Sequence, residues 1–234
     1  MKPELNLIED RVKNNEEINI YSVKGFKWKE KYFSKNELIV FKNKLKIDLY
    51  LAKIAFVRGI NEDNFKHFLD PKIKTSLPDP NILDDMEKAT NKALDFIKKK
   101  KKIGILGDYD VDGSSATALM ANYFEDINVD YEYYIPDRIK EGYGPNLKAL
   151  RFLKDKGCDL IITVDCGTTA TECIEKINEE GVEIIIIDHH LEISSLPNAY
   201  AVINPKKKSD KSELENLCAT GVVFLFIVSI NREL

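Results

Sequence analysis

IGILGDYDVDGSSATALM (103–120) begins with four apolar residues, runs into three aspartates at alternate positions, and ends in a helical pattern. IGIL is short and apolar on both faces, as a strand in a covered sheet is. SSATALM continues to Phe124 with helical spacing. Strand, turn and helix in this order open a β–α–β unit. The like charge packed into GDYDVDG (107–113), where a buried strand ends, calls for a chemical reason.

The same alternation repeats downstream. YEYYI (131–135) precedes a Gly- and Pro-containing loop, DRIKEGYGPN (137–146), and a helix over LKALRFLKD (147–155). LIITV (160–164) is a strand, TATECIEKINEE (169–180) a helix, and EIIII (183–187) the next strand. This order predicts an α/β fold with a doubly wound parallel sheet, helices covering both faces. Upstream, DDMEKATNKALDFIKKK (84–100) is an amphipathic helix, acidic at its start and basic at its end as the helix dipole prefers. Pro71, Pro78 and Pro80 mark a boundary before it. LIVFKNKLKIDLYLAKIAFVRGI (38–60) carries apolar residues at three-and-four spacing and predicts a helical stretch ending at Arg58-Gly59. NEDNFKHFL (61–69) predicts a short helix capped by Asn61. INIYSV (18–23) is strand-like, and the rest of residues 1–35 shows no assignable pattern. The expected organisation is a mainly helical lead-in over 1–80 and an α/β domain over 81–234.

The 234 residues are 44% hydrophobic and 32% charged, enough for a sizeable core. A net charge of -4 gives no global basic character. The runs KKKKK (98–102) and KKK (206–208) read as a solvated helix end and a solvated loop. MKPELNLIED lacks the apolar stretch of a signal peptide. VVFLFIVSI (222–230) falls short of the ~20 residues that span a bilayer, so no membrane partner is expected. Cys158, Cys166, Cys173 and Cys218 form no CxxC pair and read as reduced thiols of a cytoplasmic protein.

Each strand of the α/β half ends in a polar cluster. IGIL leads to Asp108, Asp110 and Asp112; LIITV to Asp165; EIIII to Asp188, His189 and His190. In an open α/β sheet, ligands bind beyond the carboxyl ends of the strands. These acids and imidazoles should therefore meet on one rim. Carboxylates so crowded stay ionised only with cations among them. Oxygen ligands with imidazole and no thiolate suit Mn²⁺ or Mg²⁺, and a cluster this acidic favours two ions. Two such ions form a clamp for phosphoryl-transfer hydrolysis. An EF-hand is excluded, because Leu119 stands where a bidentate Glu is required and a strand precedes the acids. No GxxxxGK[ST] phosphate loop occurs. Helix capping by Asp112 before SSATAL and by Asp165 before TTATEC explains one acid per loop, but not three in one loop or an adjacent HH pair. Arg138 and Lys140 offer cations for phosphate, and Tyr143 a ring for stacking on a base. Helix starts near Thr168-Thr169 and Ser114-Ser115 could receive phosphate oxygens, though capping explains those hydroxyls equally well.

With these residues together, the sequence resembles the DHH phosphoesterase superfamily, and within it the single-strand-specific DNA exonucleases of RecJ type. The stretches that carry the likeness are GDYDVDGSSATALM (107–120), YYIPDRIKEGYGPN (133–146), TVDCGTTA (163–170), IDHH (187–190), NPKKK (204–208) and LCATGVVFLF (217–226). RGI, FLDP and LPDPNILDDMEKA, within 58–89, extend it, so that it spans about residue 45 to the end. The resemblance implies that Asp110 and Asp112 each ligate one of two Mn²⁺ or Mg²⁺ ions, that Asp165 bridges both, and that His189 binds one. It places Asp108 and His190 beside the ions, His190 near the scissile phosphate, and has Asp188 orient the histidines. Arg138, Lys140 and the loop Gly142-Tyr143-Gly144 would lie along the nucleic-acid path. The implied reaction is 5′-to-3′ hydrolysis of single-stranded DNA in recombination and repair, with single-strand-binding protein or other recombination proteins as further partners.

Relatives of this type continue past the length seen here, with a further metal-binding aspartate, a second domain and an OB-fold. The resemblance therefore implies a fragment whose activity alone is weak. Two other readings compete. Small-substrate relatives such as nanoRNases or cyclic-dinucleotide phosphodiesterases usually carry a histidine four residues before the DxD pair, where Leu106 stands here. Non-catalytic DHH-fold scaffolds lose the acids, and here the acids are present.

Overall fold

The computed structural model describes residues 20–28, 34–193 and 195–234, and the chain divides into two compact units between Leu77 and Pro78. In the first unit, β1 (Ile20–Tyr21) pairs antiparallel with β2 (Lys27–Trp28). Ile18 and Asn19 of the strand-like INIYSV lie outside the described residues. Helices α1 (Lys35–Leu45), α2 (Leu49–Val57), α3 (Glu62–Leu69) and α4 (Ile73–Ser76) follow. The helical stretch expected over 38–60 is thus two helices. Lys46 turns left-handed at φ 54°, and the Asp48 carboxylate accepts the amides of Tyr50 and Leu51 at 2.9 Å each. An aspartate that can bond nearby amides competes with helix continuation and starts a new helix instead. Asn61 caps α3 as expected, with Asn64 returning a bond to the Asn61 amide at 2.8 Å. Leu38, Phe41, Ala52, Ala55 and Phe65 form the core of this unit.

The second unit opens with a 3-10 turn at Pro80–Ile82. Then come α5 (Met86–Lys98), β3 (Ile103–Leu106), α6 (Val111–Asp126), β4 (Tyr131–Tyr134), α7 (Leu147–Asp155), β5 (Leu160–Val164), α8 (Thr171–Glu179), β6 (Glu183–Ile187), β7 (Ala201–Ile203) and α9 (Ala219–Glu233). The sheet runs β4-β3-β5-β6-β7, every pair parallel. The fold is the expected doubly wound α/β type. Strand β7 is absent from the sequence reading, because Ala-Val-Ile is too short to show a period.

Alternation along the strands sorts the core into two layers. Leu106, Ile161, Ile184, Ile186 and Val202 pack against Leu150 and Leu153 of α7 and Ile174 and Ile177 of α8. Their sequence neighbours Ile103, Ile105, Leu160, Ile162 and Ile185 are equally buried and point to the other face, where α5, α6 and α9 pack. Each fully buried side chain of this size contributes about 1.5–3 kcal/mol. This double cover is why the strands are runs of isoleucine rather than alternating patterns.

The basic run 206–208 is not a solvated loop. Lys207 is 4% exposed, and its ammonium donates to the Val202 carbonyl at 2.6 Å and pairs with Asp84 at 3.0 Å and Asp85 at 3.3 Å. It ties the end of β7 to the turn that opens α5. Lys208 pairs with Glu192 at 3.3 Å. The chain leaves β3 for β4 on one side and returns for β5 on the other. The crevice beyond the carboxyl ends of β3 and β5 is therefore the topological switch point, where such sheets bind ligands.

Candidate metal centre

Past Leu106, α6 begins at Val111, three residues before the expected Ser114. The cap is Asp110, whose Oδ1 accepts the Gly113 amide at 2.9 Å; it is not Asp112. Gly113 lets the helix start press on Asp108: a methyl group there would lie 2.6 Å from the Asp108 Cβ and 2.7 Å from its carbonyl oxygen. Asp108 is 2% exposed, its Oδ1 has no hydrogen-bond partner, and burial pushes its carboxyl up. Asp112 sits in the first turn of α6 and reaches another helix. Its Oδ2 accepts the Ala219 amide at 2.7 Å, and its Oδ1 accepts the Thr220 amide at 2.9 Å and hydroxyl at 2.6 Å. Burial raises this carboxyl, but the donors of Thr220 and Ala219 prevail and hold it below its usual range.

Asp165 follows β5 with φ 62°, a left-handed conformation that costs a non-glycine residue about 1–3 kcal/mol and survives only where the surroundings fix it. Its amide donates to the Ile187 carbonyl at 2.9 Å. It does not cap α8, whose N-cap is Ala170. Asp165 is 1% exposed and neither carboxylate oxygen has a hydrogen-bond partner. Burial first, then the charges of Asp112 and Asp110, push its pKa up to about 8. The Nε2 of His189 lies 3.3 Å from Asp165 Oδ1 and 3.5 Å from Asp112 Oδ2.

Buried Asp188 stands behind the histidines. Its Oδ1 accepts both histidine amides, at 2.7 Å from His189 and 3.2 Å from His190, and the His190 Nδ1 at 2.7 Å. Its Oδ2 accepts the Thr168 amide at 3.0 Å, so that amide is already taken and does not await a phosphate. Burial opposes the Asp188 charge, yet the bonds from His190 and Thr168 bring its pKa down to about 2. The bond to Asp188 in turn raises the pKa of His190. Asp188 thus fixes the ring of His190 but only the backbone of His189.

Asp108, Asp110 and Asp165 present oxygens within 4.8 Å of one another, and Asp165, His189 and His190 present ligand atoms equally close. Asp165 belongs to both groups. Two buried carboxylate oxygens without a hydrogen bond, one of them facing the His189 imidazole at 3.3 Å, are costly unless something meets them, and a divalent cation would do so. A donor set of carboxylate oxygens and imidazole nitrogen fits Mn²⁺ or Mg²⁺.

The 137–146 loop approaches the same crevice. Glu141 is held by the Tyr134 hydroxyl at 2.9 Å and by Lys148 at 3.6 Å. Gly142 and Gly144, at φ 81° and 80°, let the chain turn on either side of Tyr143. The Tyr143 hydroxyl donates to the Asp165 carbonyl at 3.3 Å and lies 3.1 Å from the His190 Nδ1, with the two rings edge to face. No spacing in the sequence announces this contact, and the residue stays half exposed. The Arg138 guanidinium stacks over the Tyr109 ring at 4.9 Å, beside the first acidic loop. Lys140 is exposed, its ammonium 3.8 Å from Asp137. Two uncharged residues escape the sequence reading. Asn204, fully buried, donates to the Thr168 hydroxyl at 2.9 Å and the His190 carbonyl at 2.8 Å, and Thr220 holds Asp112. Both stand in the quoted stretches NPKKK and LCATG, which are the only signal they give. An open groove of about 590 Å³ adjoins His189, walled by Leu191, Lys206, Asn216, Leu217 and Cys218.

The model of the DHH family, N-terminal domain, matches residues 102–234. The single-stranded-DNA-specific exonuclease RecJ of Bacillus subtilis is 35% identical over 191 residues, 81% of this chain and 24% of the relative. The exonuclease of that name from Haemophilus influenzae is 31% identical over 166 residues, 70% of this chain and 29% of the relative. The chain thus spans about a quarter of the length of the curated relatives it matches. Among solved structures, an exonuclease RecJ bound to manganese superposes with a TM-score of 0.59 at 30% identity, covering 64% of this chain and 38% of that one. RecJ in complex with Mn²⁺ from Thermus thermophilus superposes with a TM-score of 0.66 at 24% identity, over 85% and 27%, which bears on the fold alone.

Proposed function

The chain belongs to the DHH family, and from that premise we propose that it forms the metal-binding core of a single-stranded-DNA-specific exonuclease working from the 5′ end. The observation that carries this reading is Asp165: a buried carboxylate with neither oxygen hydrogen-bonded, at the switch point, shared by two clusters of ligand atoms. Asp108, Asp110 and Asp165 would hold one divalent ion, and Asp112, Asp165 and His189 a second. When bound, Mn²⁺ or Mg²⁺ supplies the Lewis acidity that activates water and stabilises charge on the departing oxygen.

The protein groups do the rest. Asp188 fixes the His190 ring through its Nδ1 at 2.7 Å, and in this reading the imidazole would meet a phosphate oxygen. Arg138 sits beside the first acidic loop as a phosphate contact, with Lys140 further out on the same loop. The half-exposed Tyr143, between Gly142 and Gly144, would stack on a base. In this reading the enzyme acts on cytoplasmic DNA during recombination and repair, alongside single-strand-binding protein or other recombination proteins. Among the described residues no helix is long and apolar enough to cross a membrane.

The test uses single- and double-stranded oligonucleotides labelled at either end, with Mn²⁺ or Mg²⁺. It is run on this chain and on one extended at its C-terminus. The expected outcome is release of mononucleotides from the 5′ end of single strands only, abolished by a chelator and by Asp165→Asn. No release by either chain with either ion, or equal digestion of duplex, overturns the reading.

A further inference from the structure

The first turn of α9 grips one acid of the candidate metal centre. Asp112 and Thr220 are far apart in sequence, yet three donors from this turn converge on one carboxylate: two backbone amides and the Thr220 hydroxyl, at 2.6–2.9 Å. The oxygen of the same hydroxyl lies 3.0 Å from the Asp112 carbonyl, so its single proton is shared between the two acceptors or goes to the closer carboxylate. The carboxylate is thereby fixed in one rotamer. Its Oδ1 is filled by the two Thr220 donors, whereas its Oδ2, which accepts the Ala219 amide, lies 3.5 Å from the His189 Nε2 and keeps lone-pair capacity on the side of the centre. A helix N-terminus favours an anion, so the turn also keeps the group charged, as metal binding requires.

The helix is anchored independently at its far end. Ser229 meets Thr90 at 3.0 Å in the buried interface, and Arg232 pairs with Asp79 at 2.8 Å. Valines and phenylalanines along α9 complete the seat. The far end of α9 thus has contacts of its own, separate from those the Thr220 turn makes with Asp112.

We propose that Thr220 is a positioning residue for the metal centre: the first turn of α9 pre-sets Asp112 for a divalent ion, so that ion binding and the seating of this turn reinforce each other. The inference rests on the proposed role of Asp112 as a ligand. Reciprocity follows from linkage: if the seated turn raises ion affinity, the ion stabilises the seated turn by the same factor.

The experiment measures Mn²⁺ binding by loss of the free-ion electron paramagnetic resonance signal, together with hydrogen exchange of the Leu217–Gly221 segment. Thr220→Val removes the hydroxyl and keeps size and backbone amides; Thr220→Ser keeps the hydroxyl; Ser229→Ala loosens the distant anchor. Thr220→Val should weaken Mn²⁺ binding by about tenfold, the usual scale for a group that supports a metal ligand. Thr220→Ser should restore it, and Ser229→Ala should leave it unchanged. In the wild type, Mn²⁺ should slow exchange in Leu217–Gly221, and in Thr220→Val it should slow it less. If Thr220→Val binds Mn²⁺ like the wild type, or Ser229→Ala weakens binding as much, the inference fails while the proposed function stands. If the wild type binds no Mn²⁺, both fail.

Discussion

Replacing Asp165 by asparagine tests the electrostatics of the centre without reference to catalysis. In the folded chain this carboxyl keeps its proton up to about pH 8, whereas in the unfolded chain it releases it near 3.8. Between those values the native state binds one proton more than the unfolded state, so stability falls as pH rises. Three pH units at about 1.4 kcal/mol each make a loss of about 4 kcal/mol between pH 4.5 and 7.5 in protein stripped of divalent ions. That is a large part of the 5–15 kcal/mol typical of a domain. Asparagine fills the same space, carries no charge, and removes this slope. Asp188 and Asp112, whose pKa values are lowered, act only at lower pH and leave the window clear. His190, whose pKa is raised, adds a slope of the same sign in both proteins, so the difference between them isolates Asp165. The assay is urea unfolding of both proteins across that range with chelator present. Asp165→Asn should equal the wild type in stability near pH 4.5 and exceed it by several kcal/mol at pH 7.5. Saturating Mn²⁺ should reverse the order at high pH, because the ion binds only the ionised carboxylate. Equal slopes for the two chelated proteins would refute the reasoning.

Asp188→Asn should cost about 2 kcal/mol at pH 7, the worth of a carboxyl held near 2 instead of 3.8, and the difference should close below pH 3 as the wild-type carboxyl protonates. Gly113→Ala forces a methyl against the Asp108 backbone; an unfolding loss of about 1–3 kcal/mol with weaker Mn²⁺ binding is expected, and an unchanged midpoint would mean that the helix start is free to shift. Lys207→Met should destabilise by about 1–3 kcal/mol in urea unfolding, less than the full cost of breaking a buried pair because Asp84 and Asp85 keep contact with water.

The strands IGIL, LIITV and EIIII are legible because a run of apolar residues cut short by Gly or Asp leaves little else for a covered sheet to be. Their meeting on one rim follows from parallel order alone, since adjacent parallel strands end on the same side. What each acid does is not legible, because that depends on where α6 starts. With the helix beginning at Val111, Asp110 is the extended cap and Asp112 the second helical residue. Residues two apart at a helix start do not face the same way. The DxD pair is therefore split: Asp110 turns toward Asp108 and Asp165, while Asp112 turns toward His189 and the distant α9. A helix starting at Ser114, as the local pattern suggests, would leave both acids in a loop with no reason to diverge. The long-range partners cannot be read from spacing either. Lys207 looks like any lysine in a basic run until β7 and the turn before α5 close around it. Alternation of acids in GDYDVDG thus has a geometric consequence: Asp110 joins Asp108 and Asp165 while Asp112 stands beside His189, and under the proposed function the two acids would serve two ions rather than one.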